Sequence, residues 1–412
     1  MNRRIVVTGL GLVTPIGAGR DRVWDGLLAG RCGFSSVESF DTSRHPAHVG
    51  AEIKGFQPDP YIRKQDPAKL GRASRLAVAA ARMAMEDAGL DPDGPLSGGV
   101  LSDCAGVAMG TTSGEPLEVE RFDDLFLGGD EGQIGPELAT VYPCHTIATH
   151  VARELGFAGL NAMIPTACAA GNYAVAWAYD AIRAGRAELM LAGGADAFSR
   201  ITYTGFSRLG AIAPDVCRPF DRNRKGMIPG EGAGVLVLER LDRALARGAR
   251  IYAEVAGYGL SCDAHHMTAA HPEGDGPARA MERALLDAGL RPEDVSYISA
   301  HGTGTPTNDK LETLAVCRIF GPSPKVPISS IKSMLGHTMG AASAIEAAVC
   351  SLAIHTGRIP PTANFTEADP ECALDCVPNE ARELRVEVAM NNAYAFGGNN
   401  ASVLFRRCEA AS

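Results

Sequence analysis

Short apolar runs recur along this chain, and longer amphipathic stretches fall between them. RIVVTGLGLV, GVAMGT, AELMLAGGAD, GAGVLVLER, IYAEVAGYGL, VSYISAHGTGT, KVPISSIKS and AMNNAYAFGGNNASVLF read as strands. Residues 73–88, 168–184, 276–289, 309–319 and 340–355 carry the wider apolar spacing of helices. Strands that alternate with helices leave few architectures open: a largely parallel sheet covered by helices on both faces. The order also echoes itself, since RIVVTGLGLVTPIG near residue 4 and RIYAEVAGYGLSCD near residue 250 each read as strand, glycine turn and small-residue loop. No proline-rich or serine-rich linker separates the halves, so a boundary near residue 250 is topological and not a hinge.

A chain of 412 residues has room for a deep site in a large core. With 46% hydrophobic and 21% charged residues it is an ordinary soluble α/β composition, which sets disorder aside. The opening MNRRIVVTGLGLVTPIG is too short an apolar run to cross a bilayer and reads as the first strand. Eleven cysteines, an odd number without CxxC spacing, imply a reduced, cytoplasmic setting. A net charge of −9 argues against a nucleic-acid surface. One local exception is YIRKQDPAKLGRASR, where Arg63, Lys64, Lys69, Arg72 and Arg75 cluster; on charge pattern alone it reads as a solvated helix face.

Chemistry concentrates in three turns. In PTACAAGNYAVAWAYDAIRAG, Cys168 stands near the first residue of a helix, where exposed amides and the helix dipole stabilise a thiolate and lower the thiol pKa. Its small neighbours Ala167, Ala169, Ala170 and Gly171 would admit a substrate closely, although a buried, inert cysteine is the commoner fate. His301 in ISAHGTGTPTNDKLE and His337 in SSIKSMLGHTMGAASAIEAA each follow a strand at a glycine-bearing turn, the end of a parallel sheet where ligands bind. Phe396 precedes paired glycines in NNAYAFGGNNASVLF, a segment that either aims amides at an oxyanion or is simply a hairpin turn. Other readings fail. GLGLVTPIG has Thr14 where a dinucleotide loop needs its third glycine, and no P-loop occurs. His265, His266 and His271 lack metal-ligand spacing, so no metal is expected, and TACAAG is not the signature of a papain-like protease.

TACAAG, RPFDRNRKGMIPGEGAGVLVLER, HGTGTPTNDKLE, SIKSMLGHTMGAASAIEA and AFGGNNASVLF, in this order, resemble the β-ketoacyl-[acyl carrier protein] synthases of the type II elongating class over nearly the whole chain. The resemblance implies a thiolase fold, five-layered α-β-α-β-α with two pseudo-repeated βαβαβαββ halves, usually dimeric. Residues 1–250 would carry the nucleophilic cysteine and residues 251–412 both catalytic histidines. It implies that Cys168 accepts an acyl group as a thioester, and that His301 and His337 favour decarboxylation of a malonyl thioester whose carbanion attacks that acyl group. The amides of Cys168 and Phe396 would hold the oxyanion, with Phe396 also gating the acyl pocket. Lys332, Glu346, Asp309 and Glu312 match supporting residues, and Thr303, Thr305 and Thr268 match those that touch phosphopantetheine. No cofactor is implied beyond the carrier's phosphopantetheine. The basic segment regains interest here, because acyl carrier protein is acidic and Arg63, Lys64, Lys69 and Arg72 would steer it.

Two departures bear on substrate. Ser113 stands where fatty-acid elongating relatives carry a bulky aliphatic residue in the acyl pocket, and the last motif reads FGGNN in place of FGGTN. Both favour a synthase of specialised polyketides or polyenes, working as a homodimer or beside a chain-length-factor subunit. The rivals are a housekeeping fatty-acid synthase, a noncatalytic chain-length factor, which would lack the nucleophile, and a thiolase, which would carry a second catalytic cysteine near its carboxyl terminus.

Overall fold

The computed structural model describes residues 3–94, 101–136 and 138–409. Two series of eight elements share one plan. The first runs β1 (Ile5–Thr14), α1 (Arg72–Asp87), β2 (Ala105–Gly110), α2 (Thr146–Leu155), β3 (Asn161–Ile164), α3 (Ala170–Arg183), β4 (Leu189–Asp196) and β5 (Gly232–Arg240). The second runs β6 (Ala253–Cys262), α4 (Asp275–Ala288), β7 (Tyr297–Ser299), α5 (Pro306–Phe320), β8 (Ile328–Ser329), α6 (Ala342–Thr356), β9 (Val388–Tyr394) and β10 (Asn399–Arg406). The strand order is β3-β2-β4-β5-β1 in one and β8-β7-β9-β10-β6 in the other, so the duplication hinted at by two echoing segments is written into the topology. β1 and β6 pair antiparallel through Ile5↔Val255, Val6↔Glu254 and Val7↔Ala253, which joins the two sheets edge to edge.

Period-two alternation builds the layers. Val107, Met109, Leu189, Leu191, Val235 and Val237 turn to the outer helices α1 and α2, while Ala108, Met190, Ala192, Leu236 and Leu238 turn inward to α3 and α6. In the second sheet Ile298, Val388, Met390 and Leu404 face α4 and α5, and Tyr297, Ala389, Val403 and Phe405 face the same inner pair. Helices, sheet, helices, sheet, helices is the result, with α3 and α6 forming a middle layer common to both halves. That position explains α6: Met339–Thr356 has the length and apolar character of a membrane span, yet 89% of it is buried inside the protein.

The sheet is mixed, where alternation with helices predicts a largely parallel one. β5 runs antiparallel to β4 and to β1, and β10 runs antiparallel to β9 and to β6. For β10 the reason is local: β9 returns through the tight turn at residues 395–398 directly into β10, a connection that a parallel neighbour cannot use, whereas β4 reaches β5 through residues 197–231.

Candidate active site

Cys168 lies between β3 and α3, in a single 3-10 turn over Ala167–Ala169 that precedes the α-helix. Ala167 is held at φ 50°, a left-handed conformation that costs an L-residue roughly 1–2 kcal/mol. The second half repeats the device: Met339, at φ 54°, opens the turn Met339–Ala341 ahead of α6. The two elbows meet. A Cβ on Gly171 would come within 2.4 Å of the Ala344 nitrogen, so glycine there lets the N-termini of α3 and α6 touch. Ser343 Oγ donates to the Cys168 carbonyl (3.2 Å) and accepts the Asn172 amide (3.1 Å), while Asn391 Nδ2 donates to Asn172 Oδ1 and to the Ser343 carbonyl (both 2.8 Å). The small residues beside Cys168 thus face the neighbouring helix and β9, where the sequence suggested a substrate. Ala169 and Ala170 are fully buried.

His301 and His337 converge on the thiol. Their rings stand 5.6 Å apart at 82°, both buried, and with Cys168 they line one cavity of about 320 Å³. His301 is positioned from α5, whose first turns reach back: Glu312 accepts the amides of His301 (2.8 Å) and Gly302 (2.7 Å), and Asp309 those of Phe220 (2.8 Å) and Gly304 (3.2 Å). The spacing in HGTGTPTNDKLE is the spacing of that fold-back. His337 comes less directly from its strand than its sequence setting implies, because a helical turn over Lys332–Leu335 intervenes. Its Nδ1 accepts the Met339 amide at 3.1 Å, which places the ring proton on Nε2. Lys332 and Glu346, each 1% exposed, form a buried ion pair.

Burial sets the charges. Both imidazoles sit well below 6.5, through desolvation first and then the Lys332 cation, so they are neutral N–H donors. The Cys168 thiol is pushed up to about 12 by burial, against the pull of Lys332 and with Asp196 adding to the rise. The lowered thiol pKa expected from the helix terminus is therefore not the resting state; desolvation outweighs it. Burial likewise lifts Glu312 to about 8 and Glu346 to about 7, the latter opposed by Lys332.

Thr303, Thr305 and Thr268 line the same cavity, the first two linked through their hydroxyls at 2.9 Å. Phe396 lines it as well, 40% exposed and 5.5 Å from the Phe206 ring. The paired glycines after it do not aim amides at the site: Gly397 N donates to the Met267 carbonyl (2.8 Å) and Gly398 N to the Ala395 carbonyl (3.0 Å). Outside their own 3-10 turns, the amides of Cys168 and Phe396 donate to no backbone carbonyl among the described residues. His265 and His271 pack edge to face in the loop bearing Thr268, and among the described residues no cluster of three or more histidine, cysteine or acidic side chains is arranged for a metal.

Two expected residues stand elsewhere. Ser113 is outside the cavity lining: its amide donates to Asp196 Oδ1 (2.9 Å) and its hydroxyl lies 3.2 Å from Thr202 Oγ1. Arg72 stands outside the basic groove that holds its expected neighbours, and Glu231 holds its guanidinium through two 2.6 Å bonds. Arg63, Lys64 and Lys69 do share a groove, joined by Arg153 and His150, which the sequence reading missed because α2 lies far along the chain. Arg63 also pairs with Asp93. Two further residues escaped it. Asp196 accepts hydrogen bonds from Thr111 Oγ1 and the amides of Thr112, Ser113 and Gly340, and Tyr394 lines the cavity with its ring 5.6 Å from His301.

The family model described as the beta-ketoacyl synthase N-terminal domain matches residues 2–244, and the beta-ketoacyl synthase C-terminal domain matches 252–366. The chain belongs to the β-ketoacyl synthase family. As a condensing enzyme of this type it is 38% identical over 413 residues to 3-oxoacyl-[acyl-carrier-protein] synthase 2 of Synechocystis sp., covering 98% of each chain. It is 42% identical over 409 residues to nodulation protein E of Rhizobium meliloti, covering 99% of this chain and all of that one. Among solved structures, the ishigamide ketosynthase/chain length factor superposes with a TM-score of 0.94 at 46% identity, over 99% of this chain and 100% of that one.

Proposed function

We propose that this synthase condenses an acyl group held on Cys168 with malonyl-[acyl carrier protein], releasing CO2 and 3-oxoacyl-[acyl carrier protein]. The observation that carries the reading is the convergence of one buried thiol and two buried, neutral imidazoles on a single cavity. In the first half-reaction the Cys168 sulfur attacks the acyl thioester, and its proton passes to the departing phosphopantetheine sulfur. The amides of Cys168 and Phe396 receive the tetrahedral oxyanion. In the second, loss of CO2 from malonyl leaves an enolate, and N–H donors from His301 and His337 lower its energy where a carboxylate would raise it. The enolate carbon attacks the Cys168 thioester, the C–S bond breaks, and the thiolate takes up a proton. Burial, helped by Lys332 in its pair with Glu346, keeps both imidazoles neutral; Asp309 and Glu312 hold the His301 loop; Thr303, Thr305 and Thr268 take the phosphopantetheine arm. No metal or redox cofactor enters, because decarboxylation itself supplies the carbanion.

The partners in this reading are an acidic carrier protein, docking at Arg63, Lys64, Lys69 and Arg153, and a second ketosynthase-type chain, either an identical copy or a chain-length-factor subunit. The setting is cytoplasmic. Specialised polyketide or polyene assembly is favoured by Asn399 in the final motif and by 46% identity to the ishigamide ketosynthase/chain length factor. Ser113, drawn into the Asp196 cage, gives that assignment less support than its sequence position suggested. Routine fatty-acid elongation is the second reading, supported by the Synechocystis relative.

Intact-mass spectrometry tests the reaction. The protein, mixed with carriers bearing short, long or polyunsaturated acyl groups, gains the acyl mass, and Cys168→Ala does not. Malonyl carrier then gives a product two carbons longer, and the preferred acyl group separates polyene from fatty-acid work. No acylation from any carrier, with or without a partner subunit, would overturn the assignment.

A further inference from the structure

A malonyl unit brings a carboxylate into the site, and the cavity lining contains neither lysine nor arginine. Cys168, His301, His337, Tyr394, four threonines and the asparagines Asn308 and Asn400 supply its polar character, and Asp263 is the only acid among the described lining residues. The reacting carboxylate must therefore find neutral donors. The two imidazole N–H groups are already assigned to the thioester oxygen, where the enolate charge develops.

Among the other neutral donors, Thr303 and Thr305 bond each other, Asn308 donates to Asp309, Asn400 donates to Asp263 and the Gly398 carbonyl, and Thr268 and Thr307 are exposed; Tyr394 is the buried donor left over. It ends β9 two residues before Phe396, is 7% exposed, and sets its ring 5.6 Å from His301 at 61°, on the same imidazole that stands 5.6 Å from His337. Its hydroxyl is buried and has no hydrogen-bond partner among the described residues. A buried hydroxyl without a partner is destabilising, and such groups in native proteins are rare enough to require a reason. Phenylalanine would fill the same space without that cost. The carboxylate supplies the reason.

We propose that the Tyr394 hydroxyl is a hydrogen-bond donor to the carboxylate of the malonyl extender, and so a specificity residue that distinguishes malonyl from unactivated acyl groups before decarboxylation. This rests on the Cys168, His301 and His337 reading above. A neutral phenol suits the task better than a cation, because it orients the carboxylate yet leaves less charge stabilisation to be lost as CO2 departs. Burial, with Glu312 nearby, holds the phenol well above its usual value, so it donates throughout the working range.

The test is Tyr394→Phe in the full chain, assayed with acyl carrier and malonyl carrier separately. Losing one neutral donor raises KM for malonyl carrier about three- to tenfold, with kcat unchanged or higher, since a ground-state contact has been removed. Acylation of Cys168 stays at the wild-type rate, and the variant melts at or above the wild type. An unchanged KM overturns the proposal. So does a fall in kcat at constant KM, which would put the hydroxyl on the enolate, or a lower melting temperature, which would give it a protein partner. Wild-type protein that never condenses would instead defeat the underlying site assignment, and Cys168→Ala run alongside tells the two failures apart.

Discussion

His337 joins two roles in one ring: its Nδ1 closes the turn through the Met339 amide, and in the proposed reaction its Nε2 proton is offered to the enolate. Protonation would break the first role, so the pH at which it occurs matters. Burial and Lys332 hold both imidazoles well below 6.5. Their contribution to folding is consequently full above pH 6.5 and is lost as pH falls through their depressed values, where the unfolded chain binds protons that the native protein refuses. Malonyl decarboxylation is expected to stay on a plateau down to pH 6, and a pH–rate profile with an acid limb centred at 6.5 would contradict it. Cys168, His301 and His337 stand out in the sequence because each sits in a small-residue segment between a strand and a long helix, although a helical turn over Lys332–Leu335 separates His337 from its strand. The thiol's charge state is not legible, because it depends on desolvation by residues hundreds of positions away. Tyr394 is hidden for the same reason: an unpartnered hydroxyl is a property of surroundings, not of spacing.

The helices emerge within one to three residues of their expected limits, as 73–88 becomes Arg72–Asp87 and 309–319 becomes Pro306–Phe320. Strand direction does not, because alternation reports which faces are buried and says nothing about which way a neighbour runs. Nor does the sequence disclose that CAAG is a helix contact. Gly171 carries that contact, facing the Ala344 backbone nitrogen and Cβ, which cannot swing away. Gly171→Ala is expected to cost about 1–3 kcal/mol by overpacking and to slow Cys168 acylation by displacing its elbow. Denaturant midpoints read the first effect and burst-phase mass spectrometry the second; wild-type values for both would show that α3 and α6 can part without consequence.

At the scale of the molecule, a chain of net charge −9 keeps one groove in which Arg63, Lys64, Lys69 and Arg153 gather. Reversing Lys64 and Lys69 to glutamate is expected to raise KM for acyl carrier protein about tenfold at low salt and to flatten its salt dependence, as befits a steering surface. Turnover of a carrier-free acyl-pantetheine should not change. Arg72→Ala, by contrast, should lower the melting temperature, because it strands buried Glu231. The middle layer has a consequence of a different kind. Duplication usually frees one copy to drift, but here Cys168 travels with α3, His301 and His337 with the other copy, and each copy's inner helix packs in one core with the other's sheet. Neither copy can be shed, and a chimaera that borrows one half from a relative inherits a working enzyme only if the borrowed helix still fits against its resident twin.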